Sequence, residues 1–420
     1  MIESPKINLD DFAVSPDHGF LPSGLPLQKL SPVYYTPWEN LAARLPQLIQ
    51  SGKLRQLLEQ MPVLTTTWLQ TEPEWRRAYS ILGYFTHAYV WGGEKPKDIL
   101  PPSISKPFLE ISKHLELPPC ATYAGLTLWN YTAVPEASIT EPDNLSVLTS
   151  FTGTKDEEWF MVVSVAIEAA GAKIVPLMLD AIAAAAVHDD ARLTALLCRF
   201  TDGLQEVNSL LKRMYEKCTP AVFFYDLRPF LAGSKNMAAA GLPNGVFYDL
   251  GQGQGEWHQY SGGSNAQSSL IQTFDIFLGV NHSATGGIKP AGAGYIQDMR
   301  DYMPASHKRF LETLSSLSNI RTYVSSSCAE SPLKEAYNAA VLTLSSFRDT
   351  HIQIVSRYII MPARHRTPAN QSTSKVNLAT ASTQAKGLDD ANPSGLYGTG
   401  GTSLIPFLKQ TRDTTKSATC

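Results

Sequence analysis

The longest regular pattern of apolar positions runs through residues 331–361, SPLKEAYNAAVLTLSSFRDTHIQIVSRYIIM. At 3.6 residues per turn, its apolar residues fall on one face of a helix and most charged residues on the other. Ser331 is a good N-cap, Pro332 suits the first helical position, and Pro362 is predicted to end the helix. The apolar face includes one imidazole, His351, which the pattern therefore predicts to be buried.

A buried imidazole needs a partner, because an unsatisfied polar group in an apolar site is costly. The partner of His351 could be a backbone carbonyl or a metal ion. An ordinary hydrogen bond is the commoner arrangement for histidine, a residue type of intermediate burial. The pattern alone leaves both interpretations open.

Helical periodicity also dominates the rest of the chain. It predicts helices over residues 38–61, 74–90, 157–186 with a break at Pro176, 190–215, 265–280, 295–302, 305–317 and 403–412. Residues 245–248, followed by GQGQG, could form a small hairpin or a loop, and convincing strand pairs are otherwise absent. We therefore predict an all-α fold, with residues 1–150 as a smaller N-terminal helical lobe and residues 151–420 as a large helical domain.

Composition and charge narrow the class of protein. The chain has 420 residues and a net charge of -3. It has no excess of basic residues that would indicate nucleic acid or an anionic membrane as a partner. Its five cysteines are widely spaced, which favours a reducing compartment over a disulfide framework. Charged residues interrupt the most apolar stretch, residues 160–187, and no secretory signal precedes it. We expect a soluble, cytoplasmic protein.

Two segments lack a regular pattern of apolar residues. Residues 1–30 are rich in Pro, Ser and Asp, and we expect them to be extended. Residues 363–401 are rich in Ser, Thr, Ala, Asn and Gly, and are predicted to form a mobile loop that leads to a last helix. Such a loop can be a lid over a site or a passive surface insertion, and the sequence leaves both open.

Familiar catalytic motifs are missing from the sequence: it has no dinucleotide-binding or phosphate-binding glycine loop and no GxSxG nucleophile elbow. One candidate is AVFFYDLRPFLAG, residues 221–233, where aromatic residues precede Arg228 and Pro229 disfavours a regular helix. A guanidinium beside aromatic rings suits a planar ligand that carries a carboxylate. The alternative is a salt-bridged arginine that covers the core.

A second candidate is SGGSNAQSS, residues 261–269, which opens a helix. Its glycines and backbone N–H groups could receive an anion or a ligand oxygen. A plain helix cap explains the segment equally well.

These segments belong to a longer ordered set. The set comprises LPQLIQSGKLRQLLEQM, YVWG, LELPPCATYAG, FFYDLRPFLAGSKN, GGSNAQSS, FDIFLG, QDMRDYMPASHKRFL, HIQIVSRYI and GTGGTSLIPFLKQTR. In these segments and in their order the chain resembles the indoleamine 2,3-dioxygenase family, in its fungal form, over roughly residues 30–412.

The resemblance implies an all-α protein whose small N-terminal lobe lies over a large lobe that binds haem b. It implies oxidative cleavage of the indole 2,3-bond of L-tryptophan, or a related indoleamine, by O2 to N-formylkynurenine, in the kynurenine pathway of tryptophan catabolism. An electron donor would keep the iron reduced, and the enzyme is expected to be a monomer. A tryptophan 2,3-dioxygenase would share the chemistry but fits these segments less well.

On the cofactor side, the resemblance implies that His351 is the proximal ligand of the haem iron. A haem ligand must rise from a helix that lines an apolar slot, which agrees with the pattern. Arg348 matches the family position near the haem propionates, and Asp275 resembles its salt-bridge partner. Ser264 is also implied to lie beside the cofactor.

On the substrate side, the resemblance implies two residues that act in catalysis: Arg228 holds the substrate carboxylate, and Ser164 lies near O2 and the indole N–H. The other implied substrate contacts are Tyr123 and Phe160 as walls of the indole pocket, Phe223 and Phe224 against indole and haem, Gly263 and Ser264 at the entrance, and Thr399 over the ammonium group.

Two positions depart from the family pattern. Met161 stands where many relatives carry a second phenylalanine, and it adapts its shape more readily. Asn265 stands where mammalian relatives have a small apolar residue. A haem-binding sensor with little turnover is the alternative function, although a sensor would not need a carboxylate clamp at Arg228.

Overall fold

The computed structural model describes residues 7–282, 294–326, 331–364 and 404–420. Most of the described chain is helical, which confirms the all-α prediction. The α-helices are α1 (Thr36–Ala42), α2 (Leu45–Gln50), α3 (Leu54–Gln60), α4 (Glu72–Trp91), α5 (Pro102–Leu115), α6 (Lys155–Ala172), α7 (Ile174–Ala186), α8 (Asp190–Lys212), α9 (Met214–Lys217), α10 (Pro220–Val222), α11 (Arg228–Leu231), α12 (Ser269–Phe277), α13 (Tyr295–Asp298), α14 (Ala305–Leu317), α15 (Ile320–Ser326), α16 (Pro332–Val355), α17 (Met361–Arg364) and α18 (Leu404–Lys416).

Shorter helical turns join these helices. Wide π-turns occur at Ala124–Leu128, Phe223–Leu227 and Ser356–Ile360. Tight 3-10 turns occur at Leu9–Phe12, Val33–Tyr35, Pro142–Asn144, Ala238–Ala240, Asn265–Gln267 and Met299–Tyr302.

The strands are short, with two to six residues each. They are β1 (Ile99–Leu100), β2 (Tyr131–Ala133), β3 (Leu145–Val147), β4 (Val246–Gly251) and β5 (Gln254–His258). β4 and β5 form an antiparallel hairpin, and β1 adds to β4 in parallel with Ile99 opposite Phe247. β2 and β3 pair antiparallel. Of the two alternatives for residues 245–248, the hairpin is therefore the one that forms.

The core is continuous from the N-terminal helices to the last one. α16 packs against α8 and α18, while α6 and α7 also pack against α8. α4 packs against α5 and α11, so its buried face lies close to the segment that follows Arg228. The apolar stretch Lys155–Ala186 is long and hydrophobic enough to cross a membrane by composition, but 78% of its most apolar part is buried inside the protein.

The amphipathic helix predicted over residues 38–61 is wrong as one element. The structure has α1, α2 and α3 there instead. Pro46 lies in the first turn of α2, where a missing N–H costs no hydrogen bond, and it starts a new helix rather than continuing α1. Gly52, with φ of +69°, turns the chain between α2 and α3.

The break predicted at Pro176 also lies elsewhere. α6 ends at Ala172 and α7 begins at Ile174, so Lys173 joins the two helices. Pro176 lies in the first turn of α7, where the backbone N–H groups have no partner within the helix. The proline therefore follows the break by three residues.

Helix α16 begins as predicted, with the Ser331 hydroxyl accepting a hydrogen bond from the backbone N–H of Lys334 at 3.3 Å. Its predicted end is wrong. The chain passes from Val355 through the π-turn Ser356–Ile360 into α17, and Pro362 is the second residue of that helix. The helical backbone thus continues past Pro362 by way of the wider turn, although a proline cannot donate the hydrogen bond of an ordinary α-helix.

Other predicted helices exist with shifted ends. The last helix, α18, runs past Arg412 to Lys416, and residues 265–280 split into a 3-10 turn and α12. Of the N-terminal segment, residues 7–30 contain one 3-10 turn and otherwise lack helix or strand elements. Most of the predicted loop over residues 363–401, and with it Thr399, lies outside the described residues.

Candidate functional site: two cavities that share His351

Two adjoining cavities lie between α6, α16, α18 and the segments around Tyr123 and Asn265. They contain about 1180 and 990 Å³ of space outside atoms, partly open to solvent, where ligand pockets usually measure roughly 300–1,000 Å³. Their walls are mainly apolar. The residues that line both are Tyr123, Leu211, Met214, Asn265, Ala266, His351, Phe407 and Leu408.

His351 stands on α16 in the wall that the two cavities share. Its ring keeps some accessible surface because it faces cavity space, yet protein atoms surround it closely enough to lower its pKa to about 4, with the Arg348 charge adding to the effect of burial. Among the described residues, neither ring nitrogen makes a hydrogen bond. The imidazole is therefore neutral near pH 7 and presents a lone pair, as a metal ligand must.

Arg348 lies one turn before His351 and lines the second cavity. Its Nη2 donates hydrogen bonds to both oxygens of Asp275, at 2.6 and 2.7 Å, and His282 contacts the same carboxylate at 3.0 Å. Burial by itself would raise the pKa of Asp275, but Arg348 and His282 outweigh it and hold that pKa below its usual range. The buried Nε of Arg348 has no hydrogen-bond partner in the described part of the chain, which suits an anion in this cavity.

Arg228 occupies the first cavity, at the start of α11. It follows the π-turn Phe223–Leu227, so the backbone before it is irregular, as Pro229 predicts. Burial lowers the pKa of Arg228 to about 10, so the guanidinium still carries its charge near pH 7. Its Cζ lies 5.9 Å from the centre of the Phe224 ring, within cation–π range.

Aromatic rings form much of the remaining wall of the first cavity. Phe160 and Phe223 have ring centres 5.0 Å apart, and Tyr358 meets Phe223 edge to face at 5.8 Å. Met161 also lines this cavity, beside Phe160. Phe224 is fully buried and lines neither cavity, so it contacts the site through Arg228.

Ser164 lies one turn after Phe160 on α6 and lines the second cavity together with His351 and Arg348. Its hydroxyl donates to the backbone carbonyl of Phe160 at 3.3 Å. The structure thus divides the predicted set: Arg228, Phe160 and Phe223 belong to the first cavity, and Ser164 to the second.

The segment around Gly263 and Ser264 closes the first cavity on another side. A Cβ on Gly263 would lie 2.5 Å from Leu126 Cδ1, so a larger residue there would displace the Leu126 side chain. Ser264 caps the turn Asn265–Gln267 through a 3.2 Å hydrogen bond from the N–H of Ala266. A helix cap is therefore present in this segment, and the serine also faces the cavity.

The three π-turns of the described chain all adjoin this site. Residues 124–128 follow Tyr123, residues 223–227 precede Arg228, and residues 356–360 follow His351 by one turn. Each contributes side chains to the first cavity. Wide turns inside helices are frequent at functional sites because they re-aim side chains.

Sequence reasoning missed a buried carboxyl group behind the cavity wall. Glu168 accepts hydrogen bonds at Oε1 from the hydroxyl groups of Tyr123, at 3.0 Å, and Ser268, at 2.6 Å. Burial raises its pKa to about 7, against the opposing effect of these hydrogen bonds. Glu168 lies one and two turns after Ser164 and Phe160 on α6, and this shared helix face is the sequence signal that could have located it.

The residues present fit a haem. No group of three or more His, Cys, Asp or Glu side chains within the described ranges could hold a metal ion alone. Iron bound to His351 would therefore need further ligands, which a porphyrin provides. Apolar walls on both sides of His351 and the available Nε of Arg348 match a flat apolar macrocycle with acidic substituents.

Comparison with known proteins agrees with this geometry. The family model for indoleamine 2,3-dioxygenase matches residues 8–418. The chain belongs to the indoleamine 2,3-dioxygenase family. It is 41% identical to indoleamine 2,3-dioxygenase acdA of Aspergillus candidus, over 100% of this chain and 99% of that protein.

Two further relatives bear on substrate choice. The chain is 41% identical to indoleamine 2,3-dioxygenase of Saccharomyces cerevisiae, over 97% of this chain and 92% of the relative. It is 37% identical to 6-hydroxytryptophan 2,3-dioxygenase fscD of Fusarium equiseti, over 97% and 96% of the two chains. As an indoleamine 2,3-dioxygenase family member, the chain is a haem-dependent dioxygenase that acts on indoles.

Proposed function

We propose that this dioxygenase cleaves the indole 2,3-bond of L-tryptophan with O2 to give N-formylkynurenine, with haem b held by His351. One observation carries the proposal: His351 and Arg228 line the same aromatic cavity, the first as a neutral imidazole and the second as a buried cation. A ligand that carries an indole ring and a carboxylate matches both ends of this cavity.

Arg228 binds the substrate carboxylate, because a buried guanidinium gains most from a bidentate anion. Phe160, Phe223 and Tyr123 hold the indole ring between apolar surfaces. Ser164 lines the second cavity together with His351, and we infer that its hydroxyl group lies near O2 and the indole N–H. These side chains fix the substrate in one orientation, which lowers the entropic part of the barrier.

When bound, haem b supplies the activation of O2 that side chains cannot provide. Among the described residues that line the first cavity there is no aspartate or glutamate, and His351 is the one histidine. The protein therefore contributes positioning, charge neutralisation at the substrate carboxylate and exclusion of water, rather than a proton-transfer group in contact with the substrate.

On the cofactor side, Arg348 binds a haem propionate through its available Nε, while Asp275 holds the guanidinium in place. Thr399, the residue expected to contact the substrate ammonium group, lies outside the described residues. We also infer a monomeric cytoplasmic enzyme that requires an electron donor and binds neither nucleic acid nor membrane, with residues 1–150 as the smaller lobe. The free cysteines of the described chain, Cys120, Cys198, Cys218 and Cys420, support a reducing compartment.

The name of the Fusarium relative makes 6-hydroxytryptophan the second candidate substrate. Haem-loaded, reduced protein in air should be given L-tryptophan and 6-hydroxytryptophan in parallel, each up to millimolar concentration. Saturable formation of N-formylkynurenine with the higher kcat/KM for L-tryptophan supports the proposal. A higher kcat/KM for 6-hydroxytryptophan would make that compound the preferred substrate instead of L-tryptophan. A protein that binds O2 but gives no product from either substrate refutes the proposed function.

A further inference from the structure

One face of helix α4 contacts two backbone segments that carry substrate-site residues. The face consists of Gly83, His87 and Trp91, spaced four residues apart. A Cβ on Gly83 would lie 3.4 Å from Cα of Ala121, and Trp91 Nε1 donates a hydrogen bond to the carbonyl of Ala232 at 2.9 Å. His87 lies between them and is 4% exposed.

His87 uses both ring nitrogens, each toward a different segment. Nδ1 lies 2.7 Å from the carbonyl oxygen of Phe230, and Nε2 lies 3.1 Å from the backbone nitrogen of Ala121. A carbonyl can only accept and a backbone N–H can only donate, so Nδ1 carries the proton and Nε2 accepts. Burial lowers the pKa of His87 to about 4, which keeps this neutral form near pH 7.

The two backbone groups lie next to the substrate site. Phe230 follows Arg228 by two residues in α11, and Ala121 precedes Tyr123 by two residues. The imidazole of His87 therefore links the segment that carries Arg228 to the segment that carries Tyr123. Arg228 and Tyr123 are themselves 105 positions apart in the sequence, so their separation depends on such tertiary links.

We propose that His87 is a positioning residue that holds Arg228 at a fixed distance from Tyr123 and so determines selectivity for indoles that carry a carboxylate. The inference rests on the proposed function, in which Arg228 binds that carboxylate. A displacement of about 1 Å at such a site costs up to roughly 100-fold in rate or binding, so one rigid link has a measurable effect.

A simpler role for His87 is to stabilise the fold without any effect on selectivity. The two roles differ in which ligands they affect. Loss of a merely structural residue weakens binding of every ligand of the cavity to a similar degree. Loss of a residue that sets the distance between Arg228 and Tyr123 weakens the binding only of ligands that contact both side chains.

The test compares L-tryptophan with tryptamine, which has the same indole ring but no carboxylate. Dissociation constants are measured from the change in haem absorption of the ferric protein, so no turnover is needed. His87→Leu removes both hydrogen bonds, His87→Asn keeps a donor near Nδ1 but cannot reach Ala121, and His87→Gln offers a donor and an acceptor at a similar spacing. His307→Leu is the matched control, because His307 is buried and bonded to Ser269 at 3.3 Å without contacting either cavity.

In His87→Leu, we expect the dissociation constant of L-tryptophan to rise by about tenfold and that of tryptamine to change less than about twofold. His87→Asn should show the same loss of preference to a smaller degree, His87→Gln should restore most of it, and His307→Leu should keep the wild-type ratio. If His87→Leu does not load haem, the ratio in His87→Asn decides. An unchanged ratio, or equal weakening of both ligands, overturns the role of His87. A wild-type protein that binds tryptamine as tightly as L-tryptophan instead refutes the carboxylate clamp of the proposed function.

Discussion

A single nitrogen of Arg348, Nη2, donates to both carboxylate oxygens of Asp275, at 2.6 and 2.7 Å. Both side chains are more than 90% buried, so neither charge is well solvated. Removing one partner of a buried pair leaves the other charge uncompensated, which typically costs about 3–5 kcal/mol. A change to this ion pair should therefore affect both the stability of the fold and the binding of a ligand in the cavity that Arg348 lines.

We expect Asp275→Ala to lower the free energy of unfolding by about 3 kcal/mol and to weaken haem binding, since Arg348 loses its fixed orientation. Urea unfolding and titration of haem-free protein with haem measure the two effects. Asp349→Asn is the matched control, because its ion pair with Arg412 is half-exposed and should contribute less than about 1 kcal/mol. Equal effects of the two variants would contradict the role of the buried pair.

The same pair gives a pH dependence of stability. The pKa of Asp275 is lowered in the folded protein, so its contribution is present above its ordinary pKa and is lost as pH falls through the lowered value. The stability difference between wild type and Asp275→Ala should therefore shrink only in acid. A difference that already shrinks between pH 8 and pH 6 would contradict the assignment.

His351→Ala should abolish tight haem binding, because the described residues offer no second side chain in its place. The haem-free variant should be as stable as haem-free wild type or slightly more stable, since the imidazole is desolvated without a hydrogen bond. Haem absorbance per protein and thermal unfolding of both haem-free forms test this. Haem bound at wild-type stoichiometry and affinity would exclude His351 as the iron ligand.

The helices of this fold could largely be predicted from periodicity, because each buries one face. Their ends could not, since a proline breaks a helix only where its N–H is required. Pro46 and Pro176 lie in the first turn of a helix, so the breaks fall before them, whereas Pro362 follows a π-turn through which the helical backbone continues. The π-turns were missed because their residues have the same apolar spacing as an ordinary helix.

The site was predictable only in part. The ordered family segments indicated Arg228 and His351, and the structure brings both to one cavity. The rest of the site depends on contacts between distant segments. These contacts place Phe224 behind the lining of the first cavity and let Glu168 and His87 support that lining. His87 and Phe230 are 143 residues apart in the sequence, and no local pattern reports such a hydrogen bond.

Arg228→Gln should raise the dissociation constant of L-tryptophan by about 30-fold or more, since a buried charge-assisted hydrogen bond pair contributes roughly 2–3 kcal/mol. Haem affinity should change little, because the residues assigned to haem, His351 and Arg348, lie on α16 whereas Arg228 lies on α11. Tryptamine, without a carboxylate, should bind equally to variant and wild type. Parallel loss of haem and L-tryptophan would show that Arg228 supports the pocket rather than the substrate.

Glu168 should make stability depend on pH near neutrality. Its pKa rises from 4.5 to about 7 in the folded protein because of burial, a change worth about 3 kcal/mol. Folded protein thus keeps the proton that unfolded protein releases, so the contribution is complete below pH 4.5 and is lost as pH rises through about 7. Glu168→Gln mimics the protonated acid at every pH. It should match wild type at pH 5 and exceed its free energy of unfolding by up to about 3 kcal/mol at pH 8.

The difference between the two proteins isolates Glu168 from the other carboxylates, which titrate alike in both. Glu206→Gln, at an exposed carboxylate paired with Lys173, should shift stability by less than about 1 kcal/mol at either pH. A gap between wild type and Glu168→Gln that stays constant from pH 5 to 8 would mean that Glu168 is already ionised in the folded protein. Because Tyr123 donates to Glu168 at 3.0 Å, a gap that grows with pH would place a titrating group directly behind the wall of the substrate cavity.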